Sequence, residues 1–243
     1  MNNDLKNFIL FSSAFFLSLA ALIILTVLAW PSSEDVLFRE DGIIESVSAV
    51  AYAIAVTLGL TAIYRGALTD RSYPDRISFI AIPIFGTICF LDEISFGARL
   101  FALTMPPLSG GGEFDGAHDI FIVLHRLVLS LDPLTRLFAC TISGMLVLTM
   151  LYLKRSRIYP CLKWFAQDGI RRCLGSTLIL LTIAVFLDLF HGRLVSSLEE
   201  FTELSAALFL TAAGFRSLSS LSTASASSRS TEPNRWGVSS ASH

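Results

Sequence analysis

Carboxylate and imidazole side chains gather at the ends of several apolar stretches of this chain, where they could bind a metal ion or transfer protons. Asp188 and His191 are three residues apart, so their side chains share one face of a helix. Histidine and carboxylate groups are ligands that zinc and other divalent metals take in proteins. A metal held in this way can activate water for hydrolysis, with a spare carboxylate as general base. The candidate metal ligands are Asp92, Glu93, His118, His125, Asp188 and His191.

Four more residues complete this hypothetical reaction site. Glu45 or Glu203 would serve as the general base, and Ser95 and Arg99 would orient the substrate. Asp92, Ser95 and Arg99 follow one another at intervals of three and four residues, which places them on one stripe of a continuing helix. The hypothesis predicts that the site side chains converge within about 2–5 Å of one point.

The long segment 94–133 contributes two of the three candidate histidines. Its last part has helical periodicity over 117–131, and the pattern stops before Pro133. His118 and His125 are seven residues apart and therefore share a face of this helix. The pattern predicts either an amphipathic helix on the outer membrane surface or a re-entrant segment.

The composition indicates which kind of protein must position these groups. Apolar residues make up 53% of the 243 residues and charged residues only 16%, with a mean hydropathy of +0.65. A soluble domain carries about 25% charged residues. These values exclude a disordered protein, a nucleic-acid binder with a basic face and an ordinary cytosolic enzyme. They predict a polytopic membrane protein that is surrounded by membrane lipid as its partner.

Charge-free runs predict an all-α integral membrane bundle of six transmembrane helices with an extracytoplasmic amphipathic helix, because one crossing needs about 20 apolar residues. The predicted spans are residues 8–30, 43–64, 77–97, 134–153, 173–192 and 196–215. The first is interpreted as a retained span, since it is longer than the apolar core of a signal peptide and no small-residue cleavage site follows. Residues 1–216 form the membrane domain, and the Ser-rich residues 217–243 are predicted to be a disordered cytoplasmic tail.

Three of the charge-free runs are too short to cross a bilayer by themselves. The third reaches full length only with Asp92 and Glu93, and the fifth only with Asp188. The sixth must take in Glu203. A carboxylate in the membrane costs roughly 3 kcal/mol, and the helix macrodipole opposes it at a C-terminus. A cation, a proton or a bound metal is therefore expected to compensate these acids.

Basic residues mark one side of the membrane. Thirteen of the 18 Lys and Arg residues fall on the same side as both termini, whereas 15 of the 20 acids fall on the other. Because cytoplasmic loops are rich in Lys and Arg, both termini are predicted to be cytoplasmic, in the plasma (inner) membrane. No structural disulfide is expected, since none of the four cysteines falls on the outer side. Glu199 and Glu200 have an alternative interpretation as first-turn residues of the sixth span, favoured there by the macrodipole.

The run DEISFGARLF at residues 92–101 resembles a motif of a family of uncharacterised bacterial polytopic integral membrane proteins. The family motif is two acids, any residue, Ser, an aromatic residue, Gly, any residue and Arg. Here Asp92 stands where Glu is usual and Phe96 where Trp is usual. Further stretches similar to that family are 40–45 (EDGIIE), Ala117-His118-Asp119 and Glu199-Glu200. The resemblance implies a multi-pass membrane fold and directs attention to these acids and His118, but it implies no particular reaction.

Three functions remain open at this point. The first is metal-dependent hydrolysis of a lipid or lipid-linked substrate at the outer face. The second is a small proton-coupled carrier, which predicts a water-filled path to the membrane midplane. The third is a non-enzymatic scaffold or accessory subunit, which predicts ion pairs such as Arg99 with Asp92 and Arg193 with Glu199.

Overall fold

The computed structural model describes residues 42–69, 71–95, 119–190 and 193–230, with isolated positions between 6 and 25 and at 101, 106 and 107. Within these ranges every regular element is helical, which confirms the all-helical fold class. The helices are α1 (Ile43–Ala62), α2 (Tyr73–Glu93), α3 (Asp119–Ser130), α4 (Pro133–Ala166), α5 (Gly169–Asp188) and α6 (Arg193–Ser230). Five of these described helices, all except α3, are long and apolar enough to cross a membrane. The predicted first span, 8–30, lies largely outside the described residues.

The end of α2 differs from the predicted span 77–97. The helix begins at Tyr73, with Pro74 in its first turn, and it ends at Glu93. Ile94 already has non-helical dihedral angles, and Ser95 has a φ of 48°. A non-glycine residue in this left-handed region cannot continue a right-handed helix. The predicted stripe of Asp92, Ser95 and Arg99 therefore does not continue α2 beyond Glu93.

Helix α4 is much longer than the predicted span 134–153. Asp132 caps its N-terminus, because the Asp132 carboxylate accepts a hydrogen bond of 3.0 Å from the backbone N–H of Thr135. Hydrogen bonds from the Thr135 side chain and from its backbone N–H hold the pKa of Asp132 below its usual value. The helix then runs on through the basic segment that the charge pattern had assigned to a loop, and it ends at Ala166.

Helix α6 also continues beyond the predicted span 196–215, into part of the predicted disordered tail. The hydroxyl of Ser217 donates to the carbonyl of Gly214 at 2.6 Å, so a Ser-rich stretch satisfies its hydroxyls within the helix. Leu218 and Leu221 pack against a small apolar cluster that includes Phe79. This packing supplies the apolar burial that the composition of the tail did not suggest, and the helix reaches Ser230.

Small residues allow the helices to approach one another closely. Helix α6 packs along both α1 and α5, and α1 packs along α2. Where α1 crosses α2, Gly59 faces Pro83 and Gly86 faces Val56. The buried core is dominated by alanine: Ala51, Ala55, Ala206, Ala207 and Ala213 are all nearly or fully buried. Such small-residue interfaces favour association of helices in lipid, where apolar burial itself gives little driving force.

The alternating helix directions divide the charges between two ends of the bundle. The acidic end holds the start of α1 with Glu45, the end of α2 with Glu93, the end of α5 with Asp188 and the early turns of α6 with Glu203. The basic end holds the starts of α2 and α5, with Arg171, and the later turns of α6, with Arg216. Phe8 also lies near the basic end, because the Arg172 guanidinium is 5.9 Å from its ring.

Candidate functional site: carboxylates at the acidic end

Glu93 lies at the centre of a group of glutamates contributed by three helices. Its side chain is only 9% exposed. The charges that act on it most strongly are those of Glu203, Glu45 and Glu200, with Asp92 beside it on α2. We refer to Glu45, Glu93, Glu200 and Glu203 as the glutamate cluster. The structure thus brings together three of the predicted site residues, Glu45, Glu93 and Glu203.

The helix macrodipole does not by itself explain why these carboxylates are stable at their positions. Glu45 lies in the first turn of α1, where the macrodipole favours negative charge. Glu93 is the last residue of α2, where the dipole opposes it. Because α6 begins at Arg193, Glu200 lies about two turns inside the helix, beyond the first turn over which the dipole acts. The alternative interpretation of Glu200 as a first-turn residue therefore does not fit the structure.

Two side chains that the sequence interpretation missed extend the cluster towards the middle of the bundle. Tyr52 is 1% exposed, and its hydroxyl donates to the backbone carbonyl of Glu203 at 3.3 Å. The same hydroxyl lies beside the Cys89 thiol. The available signal was the spacing: Tyr52 follows Glu45 by seven residues, and Cys89 precedes Glu93 by four, so each lies on the same helix face as an acid.

Replacing Tyr52 with phenylalanine tests this link between α1 and α6. We expect the free energy of unfolding to fall by about 1 kcal/mol, because the ring still fills its site while a buried hydrogen bond is lost. Thermal unfolding of the detergent-solubilised full chain measures the change. The control is Tyr64→Phe, because Tyr64 is 91% exposed; equal stability of the two variants would contradict the prediction.

The remaining predicted site residues have different outcomes. Ser95 is 2% exposed, two residues beyond Glu93, and Asp92 is partly buried beside the cluster. Asp188 lies at the end of α5 and His125 on α3, both partly buried. Arg99, His118 and His191 lie outside the described residues. The ion pairs expected of a scaffold are also untested, since they require Arg99 and the side chain of Arg193.

The chemistry available to the described part of the site is that of closely placed carboxylates. In the described ranges no group of three or more His, Cys, Asp or Glu side chains has the arrangement of a metal site. Glu93 is buried and Glu45, Glu200 and Glu203 are half-buried, and like charges in such an arrangement are stabilised by a cation or a proton. The glutamate cluster is therefore suited to hold a cation through oxygen ligands or to share protons.

Comparisons with protein family models, with curated proteins and with solved structures find no match to this chain. The likeness of residues 92–101 to a bacterial membrane family stays a prediction.

Proposed function

We propose that the chain is an integral membrane hydrolase that uses a divalent metal such as zinc to cleave a lipid or lipid-linked substrate at the acidic end. The observation that carries this proposal is the burial of Glu93 among Glu203, Glu45 and Glu200. Glu93 is buried and the other three glutamates are half-buried, so a cation bound among them would stabilise their charges, and a divalent metal can supply it. Lipid is the substrate class because the site lies at the ends of membrane-length helices.

Histidines from two neighbouring segments would complete the ligand set. His191 follows the last residue of α5, Asp188, by three positions, which limits its distance from that helix end to roughly 11 Å. His118 belongs to the segment that leaves α2 at Glu93. Both segments therefore start at the acidic end. Imidazole nitrogen together with carboxylate oxygen is a common donor set for catalytic zinc.

The proposed roles follow from position. Glu93, the most buried acid among the described residues, would bind the metal with the histidines, and Glu45 or Glu203 would accept the proton of the attacking water. Ser95 is held in a left-handed conformation two residues beyond Glu93, and a strained, buried polar residue of this kind is a frequent feature of functional sites. Ser95 and Arg99 would orient the substrate.

The proposed topology has six spans in the plasma (inner) membrane, both termini in the cytoplasm, and α3 on the outer surface. It is supported by the concentration of Lys and Arg at the basic end, which the positive-inside rule assigns to the cytoplasm. Phe8, at the start of the predicted first span, packs near that end, and α6 also runs towards it. The acidic end would then face outwards.

Elemental analysis of the detergent-purified full chain tests the metal requirement. Wild-type protein grown with added zinc should retain about one metal ion per chain, the usual content of a single catalytic zinc site. Glu93→Gln and the double variant His118→Ala/His191→Ala should both lose it, because each removes ligands. A metal-containing wild type would then be screened against lipid and lipid-linked substrates.

Asp132→Asn is the matched control for this experiment. It removes one carboxylate outside the glutamate cluster, and asparagine preserves the N-terminal cap of α4, so metal content and stability should stay at the wild-type level. Metal-free wild-type protein after growth with added zinc would overturn the hydrolase proposal. So would a metal content that falls equally in Asp132→Asn and Glu93→Gln.

A small proton-coupled carrier is the second candidate, and a specific observation favours it. Tyr52 and Cys89 continue the polar groups of the cluster towards the middle of α1 and α2. A chain of titratable side chains within membrane helices is the usual form of a proton path. Liposomes of the full chain loaded with a pH-sensitive dye should then show proton entry that Glu93→Gln abolishes; entry equal to that of protein-free liposomes excludes the carrier.

A further inference from the structure

A second polar site lies at the basic end of the bundle, away from the glutamate cluster. A cavity of about 310 Å³ opens between the start of α2, the start of α5 and the later turns of α6. Its walls carry two arginines, Arg71 and Arg216, and two aspartates, Asp75 and Asp168. A volume of this size is at the lower end of the range of small-molecule sites, about 300–1,000 Å³.

The two aspartates of the cavity are already engaged by a third arginine. Arg171 is 5% exposed and forms ion pairs with both Asp75 and Asp168, the second at 3.0 Å. Asp75 also accepts a hydrogen bond from Ser72 at 2.6 Å. Asp168 accepts the backbone N–H of Arg171 at 2.9 Å, so it caps α5. With both aspartates ionised, the three arginines at this end leave one positive charge unbalanced, although the Arg71 charge also acts on Asp75.

Arg71 and Arg216 remain as the cations of the cavity. Neither has an ion-pair partner among the residues that the structure describes. The Arg71 guanidinium lies 5.5 Å from the centre of the Phe79 ring, which fixes its position over an apolar wall. Arg216 lies directly against Gly169, where a β-carbon would collide with its guanidinium. Gly169 thus makes room for Arg216 at the start of α5.

We propose that this cavity binds a phosphate group, with Arg71 and Arg216 as its cationic ligands. With Arg171 counted, three arginines face two aspartates, so an anion is favoured. The planar guanidinium matches the oxygen geometry of phosphate and binds it through paired hydrogen bonds. The cavity lies at the ends of membrane-length helices, where the phosphates of lipid headgroups are found, and a soluble phosphate ester offers the same chemistry.

Native mass spectrometry of the full chain in detergent, with phosphatidylglycerol and phosphatidylcholine as competing probes, tests the lipid source. The variant Arg71→Gln/Arg216→Gln should bind phosphatidylglycerol at least about tenfold more weakly, because two charge-assisted contacts are lost. The control is Arg65→Gln/Arg155→Gln, which removes the same charge from exposed arginines outside the cavity. A second pocket variant, Gly169→Ala, shifts the Arg216 guanidinium without any change in charge and should weaken binding by a smaller factor, about threefold.

Thermal unfolding with glycerol 3-phosphate and with inorganic phosphate tests the soluble source. Selective loss of phosphatidylglycerol binding in the pocket variants supports the proposal with lipid as the source. Stabilisation by glycerol 3-phosphate that only the pocket variants lose supports it with a soluble source. Equal behaviour of pocket and control variants towards every probe overturns the proposal, because binding would then reflect general positive charge. If the double variant unfolds, Gly169→Ala decides between these outcomes.

Discussion

Replacing Arg171 with glutamine is expected to lower the free energy of unfolding by about 2–3 kcal/mol. Arg171 forms ion pairs with Asp75 on α2 and with Asp168, donates to Gln167, and stacks on Trp164 at 4.9 Å. Losing one partner of a fully buried ion pair costs about 3–5 kcal/mol. The aspartates here keep 35% and 45% of their side-chain surface, so water compensates part of that cost.

Arg155→Gln is the matched control for this prediction. Arg155 is exposed and lies 4.6 Å from the Tyr152 ring, outside the network, so its loss should change stability by less than about 0.5 kcal/mol. Arg171→Lys should fall between the two, because lysine keeps the charge but cannot form the same paired contacts. Unfolding of the full chain in mixed micelles gives all three values. Equal free energies of unfolding for Arg171→Gln and Arg155→Gln would show that the Arg171 network does not stabilise the packing of α2 against α5.

Replacing Gly86 with leucine is expected to lower the free energy of unfolding by about 3 kcal/mol, because overpacking forces the α1–α2 crossing apart. A β-carbon at Gly86 would lie 2.8 Å from Val56 Cγ2 and 3.4 Å from the carbonyl oxygen of Tyr52. The backbone of α1 cannot move away without disturbing Tyr52, which also contacts α6. The same crossing is equally close at Gly59, where a β-carbon would meet Pro83 Cδ at 2.8 Å.

The control for Gly86→Leu is Gly144→Leu on α4. Nothing lies within 4 Å of a β-carbon built at Gly144, so leucine there should be tolerated in detergent or lipid. The comparison separates the effect of close packing from the general effect of replacing glycine in a helix. If both variants unfold at the same temperature as wild type, the prediction that α1 and α2 pack closely at Gly86 is wrong.

Part of the site could be predicted because lengths of apolar sequence are strict constraints in a membrane. The charge-free runs that end at Leu91 and begin after Glu203 are too short to cross alone, which predicted that Glu93 and Glu203 belong to the membrane helices. In the structure Glu93 is buried, and the charges of Glu203 and Glu45 act on it. Which side chains of different helices contact one another was harder to predict, because it depends on the rotation of each helix about its own axis. Tyr52 and Cys89 were missed for that reason.

The basic end shows a different limit. The positive-inside rule explains an excess of arginine on one side of the membrane. It does not distinguish the role of one arginine from that of another. Nothing in the charge pattern separates Arg171, which is buried and paired, from Arg216, which lines a cavity. Gly169 contributes to that distinction, since a β-carbon there would force the Arg216 guanidinium to shift from its present position. Helix ends were also difficult, as the extension of α6 through a Ser-rich stretch illustrates.

Helix α4 is fastened to the rest of the described structure mainly at one end. Trp164 and Gln167, at its C-terminal end, contact Arg171, and Phe165 packs against Gly175, whereas the window that could cross a membrane has no buried residue. Residues 137–151 therefore contribute to membrane insertion through their hydropathy and not through close packing against other helices. Exchanging Leu, Ile, Met and Val freely among these positions should preserve insertion and fold. The same shuffling within α1 or α6 should not. This span is therefore expected to tolerate rearrangement, because the composition of its apolar residues matters and their order does not.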